Sequence, residues 1–179
     1  MSDTSTSIVP NIADYPDRLS KATEIVDWLV SIRAIKPNKS DCVLSSAQGY
    51  AIDTGAKALT DEPEYLPFGL ITNGLEVVTE RTVFHTGENG LDSFVCPQCH
   101  EDILAEKWDF SGFSENGNSL LACPLCHNAS DINNYEIEPQ WGFSNLGFTF
   151  WNWADLNDDF IEEFEKRLGC EVKIVESHI

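Results

Sequence analysis

The strongest periodic pattern lies near the C-terminal end. Leu156, Phe160, Ile161, Phe164 and Leu168 recur at helical spacing, with Asp158, Asp159, Glu162, Glu163 and Glu165 on the opposite face. Gly169 is placed to end this helix. Residues 147–153 (GFTFWNW) precede it as a strand apolar on both faces, and residues 170–175 follow as a closing strand. A strand–helix–strand unit of this length suits a right-handed parallel crossover. A second amphipathic helix begins near Tyr15-Pro16-Asp17, with Leu19, Ala22, Ile25, Val26, Leu29 and Val30 on one face, and Pro37 stops it.

Shorter apolar runs fill the middle. Residues 41–45 (DCVLS) read as a strand, residues 49–54 as a second strand or a loop, and residues 55–67 as mostly loop. Asn73-Gly74, flanked by residues 68–72 and 75–79, carries a two-residue hairpin signal. Strand character returns at 82–85, 91–95 and 135–138. Residues 1–13 begin with a Ser/Thr-rich stretch (MSDTSTSIVP) and read as a flexible tail. The expected fold class is α+β: a small central sheet over 14–93 and 130–179, a helix near each end of the chain, and an insertion at 94–129.

Composition adds a core and a charge. Hydrophobic residues make up 42%, so global disorder is not expected. The first residues lack a basic segment followed by an apolar one, and no run approaches the roughly eighteen apolar residues of a membrane span. The expectation is a soluble, cytoplasmic protein. Thirty Asp and Glu against eleven Lys and Arg give −19. Between Lys107 and Lys166 there is no basic residue, whereas eleven carboxylates fall in that stretch. Nucleic-acid binding draws its non-specific free energy from Lys and Arg at phosphates, so this half of the chain is expected to repel DNA and RNA. Acidity also keeps a protein soluble, and the alternative to that plain role is attraction to a basic partner protein.

Four of six cysteines form two alike motifs, Cys96-Pro97-Gln98-Cys99-His100 and Cys123-Pro124-Leu125-Cys126-His127. Two residues between thiols let a tight turn bring both sulfurs to one ion, with the proline helping to fix its shape. Residues 93–95 and 120–122 approach the two pairs as short apolar strands; Trp108–Phe110 and Glu115-Asn116-Gly117 fit a strand and a turn between them. Residues 94–129 resemble the zinc-ribbon superfamily on these knuckles. The resemblance implies one structural Zn2+ held by Cys96, Cys99, Cys123 and Cys126, and no particular activity, since four thiolates leave no open coordination position. Three readings compete with this one: each motif also reads Cys-x-x-Cys-His, as in covalent haem attachment; Cys-Pro-x-Cys suggests thioredoxin-like redox chemistry; and His100 or His127 could replace a cysteine. Cys42 and Cys170 stand alone and read as small buried residues.

No phosphate-cradling loop or nucleophile elbow is present, and His85 and His178 have no catalytic motif beside them. No catalytic or cofactor-binding residue is assigned. Trp141, Trp151 and Trp153 fall close together; a doubly buried strand accounts for them, and an exposed face ringed by Asp158, Asp159 and Glu162 would make them anchors for a partner. The functional expectation is a non-enzymatic zinc-binding interaction module whose acidic surface docks a basic partner protein. It resembles, in general type only, immunity or antitoxin proteins that neutralise a basic toxin. The alternatives are an enzyme with its site between sheet and ribbon, and a protein-contacting adaptor of transcription or translation.

Overall fold

A computed structural model describes residues 2–179. Its centre is a six-stranded sheet made of β1 (Thr4–Pro10), β2 (Ile35–Ser40), β3 (Gly49–Ile52), β4 (Leu75–Val78), β11 (Gly147–Trp151) and β12 (Val172–His178). The strand order is β12-β1-β11-β4-β3-β2, every neighbouring pair antiparallel. Helices α1 (Arg18–Ser31) and α3 (Asp158–Leu168) share one core with the sheet, built on Ile8, Ile25, Leu29, Phe148, Phe150, Phe160 and Phe164. Trp28 of α1 stacks on Phe160 of α3 at 5.6 Å, which fastens the two helices together. Asn157 caps α3 by accepting the Phe160 N–H, acidic residues occupy its first turn and basic ones its last, and Gly169 closes it at φ 72°.

The N-terminal segment is not a tail. Residues Thr4–Pro10 form β1, which lies between β11 and β12 and is buried along most of its length. Its hydroxyls conceal this role, because Ser7 and Thr149 satisfy each other across the strands at 2.8 Å and so bury without loss. β11 and β12 are both antiparallel to β1 and hence parallel to each other. The crossover through α3 therefore skips one strand rather than joining neighbours.

Two further expectations need correction. Residues 41–45 are not a strand; β2 lies earlier and contains Pro37, tolerated because β2 is a sheet edge whose register shifts between Ile35 and Lys39. The hairpin at Asn73-Gly74 does not form either, since Leu75–Val78 pairs with β11 and β3 instead. Glycine is needed at 74 for close approach: a Cβ there would meet the Cys42 sulfur at 2.3 Å and the Tyr50 carbonyl oxygen at 2.9 Å.

The cysteine segment forms a second, smaller body on this frame. β6 (Ser93–Val95) pairs with β9 (Glu136–Glu138), and β7 (Leu120–Ala122) with β8 (Ala129–Asp131). The unit therefore closes at Glu138 rather than at residue 129. Trp108–Phe110 is irregular, not a strand. Asp109 accepts both the N–H and the hydroxyl of Ser111, starting the one-turn helix α2 (Ser111–Glu115), which runs up to the expected turn, where Gly117 has φ 68°. Trp108 and Phe110 instead pack on Phe94 at 5.1 and 5.5 Å. A short pair, β5 (Thr82–Phe84) with β10 (Gly142–Ser144), links this body to the sheet through Phe84, Val9 and Val175. Among the described residues no helix is long and apolar enough to cross a membrane.

Candidate metal centre

Each cysteine pair sits on a tight turn at the end of a short strand, and the two turns are built alike. In the first, Cys96 donates its N–H to Glu101 O, His100 returns its N–H to Cys96 O, and the Gln98 N–H points at the Cys96 sulfur. In the second, Cys123 donates to Asn128 O, His127 to Cys123 O, and the Leu125 and Cys126 N–H groups reach the Cys123 sulfur. His100 and His127 both adopt positive φ, 60° and 64°, which lets each chain leave its turn. Both are exposed, and neither belongs to the ligand cluster, which comprises the four cysteines alone. Cys96 and Cys123 are buried, whereas Cys99 and Cys126 are half-buried.

All four sulfurs lie within 4.8 Å of one another, with Cys96–Cys126 at 3.9 Å and Cys99–Cys123 at 3.8 Å. These separations are far too long for disulfide bonds. Four sulfurs placed about 2.3 Å from one central zinc ion would be about 3.8 Å apart, so the cluster has the dimensions of a tetrahedral thiolate metal site. Its convergence also answers the competing readings. Sulfurs of both pairs meeting at one point cannot serve two separate haems. The residues after Cys99 form turns rather than the helix that thioredoxin-like chemistry needs.

The electrostatics favour a cation at the same point. For Cys96, burial opposes ionisation, but the N–H groups of Cys99 and Gln98 outweigh it and hold the thiol at about 7. For Cys99 the Glu101 N–H favours the thiolate, yet burial and the three neighbouring sulfurs push it up to about 12. Thiols that cannot all ionise beside one another are relieved by a divalent ion among them. Tyr135 packs beneath: burial, then the charge of Cys96, raises its hydroxyl, which donates to Leu121 O at 2.9 Å.

Two long side chains tie this body to the sheet, and their distance in sequence hid both. Arg81 donates from Nε to Phe113 O and from Nη2 to Ser119, pairs with Asp14, and lies 4.0 Å from the centre of the Phe113 ring. Lys173 of β12 donates to Asn133 O at 3.0 Å, and its burial lowers the amine to about 8.

The remaining candidate residues are not brought together. Trp153 lies in the main core, 6% exposed, and donates to Asn73 O. Trp151 is equally buried and donates to Glu76, whereas Trp141 packs with the cysteine body and donates to Thr86. Trp151 and Trp153 thus follow the buried-strand reading rather than forming an exposed face. Asn152 at φ 62° breaks the strand alternation and swings Trp153 onto Phe150, with ring centres 4.9 Å apart. Asp158, Asp159 and Glu162 are exposed on α3, without those rings beside them. His85 borders a shallow depression of about 210 Å3 with one carboxylate, Glu76, whose oxygens are engaged by Trp151 and Ser45.

No family model matches the chain, and searches of curated proteins and of solved structures find no match either.

Proposed function

We propose that the chain is a non-catalytic protein-interaction module in which Cys96, Cys99, Cys123 and Cys126 hold one structural zinc ion and the acidic surface docks a basic partner protein. Four protein thiolates complete a tetrahedral shell, so the ion would staple residues 93–138 rather than bind substrate. The observation that carries the docking half is unneutralised charge. Among the described residues only Asp14, Glu24 and Glu163 stand in ion pairs, although the chain has thirty carboxylates. Such a surface raises the association rate with a positively charged protein and rejects phosphate backbones. The other reading, an enzyme with a site between sheet and ribbon, has in its favour only an open depression of about 390 Å3 lined by Asp14, Arg18, Glu80, Arg81, Ser114 and Asn145, and both of its arginines are already engaged, Arg18 by Thr79 O and Arg81 by Asp14, Phe113 O and Ser119.

Purifying the chain with its partner from the producing cells at low salt, then titrating the two isolated proteins across a salt series, tests this. The partner should be basic, and affinity should fall roughly tenfold or more between about 50 and 250 mM salt. A neutral or acidic partner whose affinity ignores salt would contradict electrostatic docking.

A further inference from the structure

Ten large hydrophobic residues are exposed among those described, and four of them lie within seven positions: Tyr65 (68%), Phe68 (42%), Leu70 (40%) and Ile71 (84%). They project from residues 60–72, which form a compact surface loop rather than a loose one. Both of its ends are tied to residues 152–157. Asn157 donates its N–H to Leu59 O and its side-chain amide to Ala58 O, while Asn152 and Trp153 donate to Thr72 O and Asn73 O. Thr60 also bridges to Leu156. In the middle, Leu66 enters the main core, and backbone bonds from Tyr65, Leu66, Phe68 and Leu70 close successive turns. Apolar side chains held outward on a fastened loop lose little entropy when covered.

Their surroundings specify what would cover them. Asp61, Glu62 and Glu64 belong to the same loop, and Asp61 and Glu62 face Asp155 and Asp158 across a cleft of about 270 Å3. None of these five carboxylates is in an ion pair with a described residue. The Lys57 ammonium sits 5.6 Å from the Phe68 ring centre, covering part of one aromatic face. A second copy of the chain would set these carboxylates against their own kind, and an anionic lipid surface would be repelled. Resting on the docking reading above, we infer that residues 60–72 and the adjoining start of α3 form the docking surface. It accepts a partner segment in which one apolar side chain is flanked by lysines or arginines: the apolar group lies on Tyr65, Phe68 and Ile71, and the cations enter the acidic cleft.

An arrayed set of short Lys/Arg-rich peptides, each carrying one Leu, Ile, Phe or Trp or no apolar residue, provides the probe, with amide chemical shifts as the readout. Anchored peptides should bind more tightly than the unanchored one and shift residues 60–72 and 155–159. A Tyr65→Ser/Ile71→Ser variant should keep its melting temperature and lose affinity about tenfold, because both side chains are exposed. Glu136→Gln/Glu138→Gln, on β9, should change little. Binding that shifts other residues and survives the loop variant would overturn this surface while leaving acidic docking intact. Failure of every basic peptide at low salt would overturn both. Self-association of the parent protein that the loop variant abolishes would assign the patch to a second copy and overturn the proposed occupant.

Discussion

Replacing Cys123 with serine is expected to abolish tight metal binding and to unfold the segment from β6 to β9. Cys123 is 1% exposed, and its sulfur lies 3.8 Å from that of Cys99. The apolar centre of the segment is Phe94, Ile103, Phe113, Ile132, Tyr135, Ile137 and Phe143, with Trp108, Phe110 and Trp141 packed against it, a small core for strands that pair only two by two. On the proposed zinc reading, metal-binding free energy adds to this core, on the order of 10–16 kcal/mol for four-ligand zinc modules, comparable with the whole stability of an ordinary domain. A serine hydroxyl is a far weaker ligand than a thiolate, so most of that contribution goes. The main core contains none of the four cysteines. Hydrogen exchange should therefore show residues 93–138 losing protection while β1, β11 and α3 keep theirs. Unchanged protection in the variant would mean that the segment folds on packing alone.

Trp153→Ala should destabilise the protein by about 3–5 kcal/mol. The ring is 6% exposed and meets Phe150 edge-on at 4.9 Å; its indole N–H is bonded to Asn73 O at 2.8 Å. Truncation leaves a cavity in the main core and an unpaired carbonyl at one foot of the 60–72 loop. For a chain of this size the loss corresponds to a fall in melting temperature of roughly 10 °C or more. Trp153→Phe should recover part of the packing and none of the hydrogen bond. A melting temperature that Trp153→Ala leaves untouched would place the ring outside the core, as the alternative interface reading requires.

Local signals were legible and non-local ones were not. The cysteine knuckles could be read because a thiol pair two residues apart dictates its own turn, and the strands Ser93–Val95 and Leu120–Ala122 follow directly from them. The face of α3 was equally plain, since helical periodicity repeats over three turns, whereas on α1 Ala22, Ile25 and Leu29 bury as expected but Leu19, in the first turn, is exposed. β1 was missed because Ser5, Thr6 and Ser7 look like solvated tail; only their partners across the sheet show that they bury. Asn73-Gly74 misled for the opposite reason. Its local turn preference lost to pairing of Leu75–Val78 with two distant strands and to the crowding of Gly74 against Cys42. The aromatic run near the C-terminal end gave the right residues for a core, but a left-handed Asn152 decides which way Trp153 faces, and no periodic pattern contains that. The exposed loop at 60–72 was hidden because four apolar residues among prolines carry no period at all. Only their accessibility separates them from Leu66, which lies between them and is buried.

The most direct test of the account is the metal content of the purified protein, measured with a count of reactive thiols before and after chelation. One zinc ion per chain is expected, with four thiols that become reactive only when the metal is withdrawn and loss of structure in residues 93–138 at the same step. Full thiol reactivity in a metal-free protein whose cysteine segment stays folded would contradict it.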